Sequence, residues 1–205
     1  LKHVLDNHER ALGKEWCSLV QHDRLLLLEV CCSPESVLTS TCQQKFGVNS
    51  AERVSHWNGG DIETKEGVNL IKAIISEKRP AVVWMSPECG PYSPMQHLNM
   101  RTPEQRETLD SKRARARKQY ESVSEIAQHV HSLGLTFMIE LSERCEGWGL
   151  PWFHDLQSKI PVFSGVCKGC QVNLRDQGGQ LLFKGWRHVP TTTLMASAKA
   201  ARHAA

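Results

Sequence analysis

Two periods of apolar and polar residues alternate along this chain, and the changes between them mark its elements. Residues 24–30 (RLLLLEV) form a nearly continuous apolar run closed by Cys31-Cys32-Ser33-Pro34. A strand buried on both faces of a parallel sheet has this pattern. Residues 81–85 (AVVWM) and 135–141 (LTFMIEL) repeat it. Helical spacing occupies the gaps: 36–46, ended near Gly47; 64–78, with Val68, Ile71, Ile74 and Ile75 on one side and Pro80 beyond; and 103–133, ended by Gly134. Apolar residues three and four apart line one face of a helix, and glycine and proline mark its end. Shorter segments predict a strand at 52–57, a helix at 152–159, and strands at 161–166 and 180–189. An N-terminal helix is expected over 1–22 and a helical tail over 194–205, leaving 23–193 as the folded domain.

Strand and helix alternate, so the expected class is α/β, with a mostly parallel sheet and helices on both faces. In such sheets ligands bind beyond the carboxyl ends of the strands, where the strand order reverses. Three apolar runs end in polar or reactive residues: Glu29 to Ser33, Met85 to Cys89, and Ile139 to Ser142. They are expected to converge on one rim.

Composition changes this picture little. The 205 residues, 40% hydrophobic and 23% charged, suit one domain with a real core rather than a disordered or fibrous chain. The longest apolar run is interrupted by Glu29 and falls short of the roughly 18–20 residues of a membrane span, so no membrane association is expected. The net charge of +3 neither demands nor excludes an anionic partner. Eight cysteines without a small-domain framework favour a reducing, intracellular compartment, the nucleus included.

The chemistry centres on Cys89. It lies four residues past a buried strand, in a loop stiffened by Pro87, Gly90, Pro91 and Pro94. Ionised, a cysteine is a strong nucleophile; otherwise it is a small apolar filler.

The segment SPECGPYSPMQ around Cys89 resembles the proline-cysteine loop of cytosine-5 DNA methyltransferases. Further segments follow in the family's order. LLLLEVCCSPES is similar to its cofactor-binding strand and loop, and Gly60-Asp61-Ile62 to its adenine-contacting segment. Phe137-Met138-Ile139-Glu140 resembles the strand whose Glu holds the target cytosine. Residues 170–175 resemble a stretch of divergent methyltransferase-like proteins of phages and of algal or dinoflagellate retroelements. The resemblance spans about residues 24–190. It implies a Rossmann-like methyltransferase fold with S-adenosylmethionine as cofactor and DNA, less so RNA, as substrate. Cys89 would add to the sixth carbon of cytosine and Glu140 would stabilise the protonated ring, with the base extruded from the duplex. Glu29, Cys31, Ser33, Trp57, Asp61 and Ser86 would line the cofactor site. Arg101, Arg113, Arg115 and Arg117, with Gln171 and Arg175, would face nucleic acid. A helix crowded with arginine can follow phosphates, or can simply be a solvated face.

The chain departs from the family in four places. The first loop lacks glycine, Glu88 stands where a proline is usual, Leu141 follows Glu140 in place of Asn, and no long target-recognition segment is present. A like charge beside a thiolate works against its activation. The alternative is therefore a catalytically degenerate module of the same fold that binds nucleic acid or protein. Cys167 and Cys170 have the spacing of half a zinc site, but no compelling second pair accompanies them, so no metal is expected. Trp148 and Trp152 are either base-stacking platforms or core.

Overall fold

The computed structural model describes residues 25–191, except 99, 173, 174, 176, 177, 182 and 183. The N-terminal helix expected over 1–22 and the tail over 194–205 lie outside the described residues. Six strands form one sheet: β1 (Leu27–Val30), β2 (Ala51–Val54), β3 (Val82–Met85), β4 (Thr136–Ser142), β5 (Gly165–Lys168) and β6 (Gly185–Pro190). Their order is β2-β1-β3-β4-β6-β5. The first four run parallel. β6 is antiparallel to both its neighbours, so the sheet is mixed, although four of its six strands form the parallel array expected from the apolar runs.

Four helices connect the strands: α1 (Val37–Phe46), α2 (Lys65–Lys78), α3 (Pro103–Ser132) and α4 (Pro151–Lys159). The chain steps from β1 outward to β2, then back across β1 to β3 and β4. With right-handed crossovers this places α1 on one face and α2 and α3 on the other; α4 packs on α3.

Helices α1, α2 and α3 each start where a side chain satisfies free backbone N–H groups, whereas α4 starts on Leu150 and Pro151 without a side-chain cap. Ser36 caps α1 and Thr64 caps α2. Thr102 and Gln105 form a reciprocal capping box on α3, with Pro103 in its first turn. Helix α3 buries Ala116, Tyr120, Val123, Ile126, Ala127 and Val130 against Phe137, Ile139 and Leu141 of β4. Full burial of each large aliphatic side chain contributes about 1.5–3 kcal/mol, which fixes α3 despite its charged outer face. Trp148, Trp152 and Phe153 pack together beneath the turn that follows β4. Both tryptophans are buried, so they are core, not stacking platforms.

Parallel pairing of β1 with both β2 and β3 puts the fork in strand order at the carboxyl end of β1. The β1 and β3 ends meet there with the end of β2, since Ser86 N donates to Val30 O at 3.2 Å and Cys31 N to Val54 O at 3.3 Å; the β4 end joins from the side through Ser142, whose Oγ is 3.3 Å from Cys89 Sγ.

Candidate functional site

A cleft of about 320 Å³ opens at this fork, lined by Cys31, Cys32, Ser33, Ser55, His56, Gly60, Asp61, Ile62, Glu63, Ser86, Glu88, Arg115 and Gln119. Two side chains shape its first wall. Arg53 donates to the carbonyls of Pro34 and Ser36 and to Ser40 Oγ, pinning the loop after β1 from β2. Glu29, buried at the end of β1, accepts from Ser36 Oγ at 2.6 Å, Thr39 N at 3.2 Å and Thr39 Oγ1 at 2.5 Å. Its carboxylate thus holds the amino end of α1, where negative charge is also favoured by the helix dipole. This corrects the expectation that Glu29 faces the cofactor. Trp57 is also outside the lining: its indole N–H donates to Cys32 O at 3.4 Å.

Glu29→Ala is therefore expected to destabilise the fold by about 3 kcal/mol, because it strands buried donors that were bonded to a charged group. Urea denaturation midpoints measure this. A carboxylate serving a ligand alone would leave them unchanged.

Cys31 has φ 61°, the left-handed region that usually takes glycine. The sequence lacks the glycine expected in this loop, yet the backbone adopts the conformation a glycine would give, and the thiol is carried into the cleft wall. Burial, with Cys32 and Asp61 nearby, pushes the Cys31 thiol well above the usual range. Burial and the adjacent Glu29 push Cys32 up to about 11. Both are neutral thiols near pH 7, so the negative charge of the cleft comes from Asp61, Glu63 and Glu88.

The second wall is the turn 61–64. Thr64 Oγ1 donates to Asp61 O at 2.9 Å and accepts from Gly67 N at 3.1 Å, tying the turn to α2. Glu63 accepts from Arg115 Nε at 2.5 and 2.6 Å and from Gln119 Nε2 at 2.7 Å. Arg115 and Gln119, one helical turn apart on α3, therefore close the cleft through one carboxylate. Arg115, expected on the nucleic-acid face, is a cleft residue.

The Cys89 loop forms the far rim. Glu88 N donates to Gln119 Oε1 at 3.2 Å, and Tyr120 Oη donates to Glu88 O at 2.8 Å. Tyr92 packs on Tyr120, and Arg113 lies over the Tyr92 ring while its Nε donates to Pro91 O at 3.1 Å. Arg113 also approaches Glu146 at 3.6 Å. It fastens the Cys89 loop to α3.

Cys89 is half-buried, with Sγ 3.3 Å from Ser142 Oγ. Ser142 and Glu140 are two apart on β4 and share one face of the sheet. Glu140, also half-buried, accepts from Trp84 Nε1 at 3.1 Å and lies 3.6 Å from His188 Nε2. The same indole N–H reaches Ser86 Oγ at 3.0 Å. Thiol and carboxyl therefore belong to one rim, joined through Ser142 and through Trp84, and Ser86 links that rim to the cleft. Neither Cys89 nor Glu140 lines the cleft itself.

Arg101 and Arg117 are exposed. Gln171 accepts from Lys168 N, and Arg175 donates to Gly179 O at 2.7 Å; both belong to the β5–β6 connection, away from the cleft lining. Among the described residues no group of three or more His, Cys, Asp or Glu is placed to hold a metal ion, and no helix is long and apolar enough to cross a membrane. Ser142 was expected at the rim only as the end of its strand, and Ser55, His56 and Gln119 were not expected at the site; helical spacing from Arg115 was the available signal for Gln119.

The described residues define an α/β protein with a polar cleft at the switch in strand order and a thiol-bearing loop on its rim. No protein-family model matches the chain, and comparison with curated proteins and with solved structures found no match.

Proposed function

We propose that this chain is a cytosine-5 methyltransferase-like domain of Rossmann-like fold that uses S-adenosylmethionine and acts on DNA, in preference to RNA, through a covalent bond from Cys89. One observation carries the reading: the segment Ser86–Cys89 serves two sites at once, with Ser86 and Glu88 in the cleft wall and the Cys89 thiol on the rim beside Ser142 and Glu140. The strand order supports it, since the cleft lies where an open α/β sheet binds ligands.

The cleft suits the cofactor by its donor set. Asp61, Glu63 and Glu88 outnumber the basic side chains of the lining, which are His56 and Arg115, the latter already paired by Glu63. The remaining acidic character favours a ligand bearing positive charge, and S-adenosylmethionine supplies a methyl group on a cationic sulfur. The hydroxyls of Ser33, Ser55 and Ser86 offer hydrogen bonds along the same walls.

The rim residues have distinct tasks. The Cys89 thiolate forms a bond to the sixth carbon of the base, and Ser142 Oγ donates to the sulfur to hold it in line. Glu140 gives a proton to the ring nitrogen, offsetting the electrons that the thiolate adds. Trp84 and His188 fix the carboxyl group in that direction. Once the fifth carbon carries the methyl group that the cofactor would supply, its proton passes to water, Glu140 recovers its own proton from the ring nitrogen, and the bond to sulfur breaks to restore the thiolate. The experiment is incubation with S-adenosylmethionine and duplex DNA bearing 5-fluorocytosine. There the fifth carbon has no proton to lose, so a protein–DNA adduct that resists denaturing gel electrophoresis is the expected result.

A second reading, a methyltransferase-fold module that binds nucleic acid or protein without catalysis, is favoured by Glu88, whose carboxylate neighbours the nucleophile position. It predicts binding without an adduct.

Phosphate affinity falls to the arginines that keep their charge outward. Replacing Arg101 and Arg117 together with Ala is expected to weaken DNA binding and to lower the slope of log affinity against log salt by about two. Fluorescence anisotropy across a salt series measures this; an unchanged slope removes the face.

A further inference from the structure

We propose that Cys145 is a resolving thiol for Cys89, so that a peroxide oxidant converts the pair into an intramolecular disulfide that switches the thiol site off. Cys145 has no part in the chemistry above, yet it lies against the Cys89 loop. Its Sγ is 3.9 Å from Cys89 O. Its backbone N donates at 3.0 Å to the carbonyl of Ser142, the residue whose hydroxyl meets Cys89 Sγ at 3.3 Å. The two thiols therefore flank one residue from opposite loops.

Their exposures differ in the way a sensing pair requires. Cys89 is half-buried at the rim, whereas Cys145 is 4% exposed beneath it, with Tyr120 Oη 3.8 Å from its sulfur. Burial also raises the Cys145 thiol above its ordinary value, and the oxidant meets the more exposed Cys89 first. Reactive cysteines of this kind are commonly accessible and set next to a second cysteine.

The chemistry balances in two steps. The Cys89 sulfur attacks one oxygen of hydrogen peroxide and keeps it as a sulfenic acid, while the O–O bond breaks and the other oxygen leaves as water with the Cys89 proton. The Cys145 sulfur then attacks that sulfur and displaces the hydroxyl, which departs as a second water with the Cys145 proton. In sum, two thiols lose two electrons and two protons to one peroxide. The bond removes the thiol from Ser142 and tethers the β3 loop to the turn after β4. It also stops Cys89 short of irreversible oxidation. None of this requires that the chain transfer methyl groups.

The full chain is treated with hydrogen peroxide, its remaining thiols are blocked with N-ethylmaleimide, and tryptic peptides are read by mass spectrometry. The Cys89 peptide ends at Arg101 and the Cys145 peptide begins after Arg144, so a crosslink joins two separate fragments. The expected result is that crosslink, reversed by dithiothreitol. Cys145→Ala is expected to let Cys89 accumulate as a sulfenic acid trapped by dimedone and then proceed to the sulfinic acid. Should Cys145→Ala fail to fold, the wild-type chain decides alone. Cys89 that stays reduced, that oxidises without Cys145, or that pairs only with another cysteine overturns the proposal.

Discussion

Cys89→Ala is expected to abolish the covalent adduct with 5-fluorocytosine DNA while leaving S-adenosylmethionine affinity and thermal stability close to those of the wild type. The separation follows from geometry. The thiol is on the rim, bonded to Ser142, and does not line the cleft. It is half-buried, so loss of one sulfur removes little packing. Without the nucleophile, the base meets only the electrostatic help of Glu140, and among the described residues the cysteines nearest the site do not take its place: Cys145 is buried beneath the loop, and Cys31 and Cys32 face the cleft. Denaturing gels with labelled duplex measure the adduct, and calorimetry measures the cofactor. An adduct that survives in Cys89→Ala removes Cys89 from the mechanism. A variant that loses cofactor binding as well places the thiol inside the cleft.

Gly67→Ala is expected to be the most damaging small substitution near the site. A Cβ at Gly67 would lie 2.1 Å from Asp61 O and 2.6 Å from Asp61 C and N. These are backbone atoms of the turn that forms the second wall, so no side-chain rotation relieves the contact. Overpacking of this kind costs about 1–3 kcal/mol, occasionally more. A backbone obstacle puts Gly67→Ala at the upper end. Either α2 shifts or the turn does, and in both cases the Thr64 bonds to Asp61 O and Gly67 N are disrupted. The expected signature is a lower urea midpoint together with loss of cofactor affinity. Unchanged stability would mean that the turn yields freely and does not rigidly define the wall.

The apolar runs at β1, β3 and β4 were legible because a strand buried on both faces leaves little choice of residue. Their neighbours were less so. The strand expected over 52–57 ends at Val54, because Asn58 Oδ1 captures Ser55 N at 2.7 Å and turns the chain. The strand expected over 161–166 begins only at Gly165, with Val162 limited to an isolated bridge to Thr191. The reversal of β6 was not readable at all, since it rests on long-range register such as Glu140 opposite His188.

The site shows the same division. Convergence of the strand ends followed from alternation and topology. The roles of Glu29 and Arg113 did not, because a charge in a sequence says nothing of its partners. Thr39 and Ser36 take the first inward, and Pro91, Tyr92 and Glu146 hold the second. Cys31 was the opposite case: the missing glycine in the sequence suggested a lost cofactor loop, whereas the backbone keeps the left-handed turn without it.

The central claim is that the cleft at the β1–β3 fork receives S-adenosylmethionine, and titration of the full chain with that compound under calorimetry tests it most directly. The expected result is one saturable site per chain, with stability raised by about 2.7 kcal/mol at a hundredfold excess over Kd, and with binding lost in Gly67→Ala but kept in Cys89→Ala. Absence of heat and of any shift in melting temperature, with both S-adenosylmethionine and its demethylated product, would contradict it.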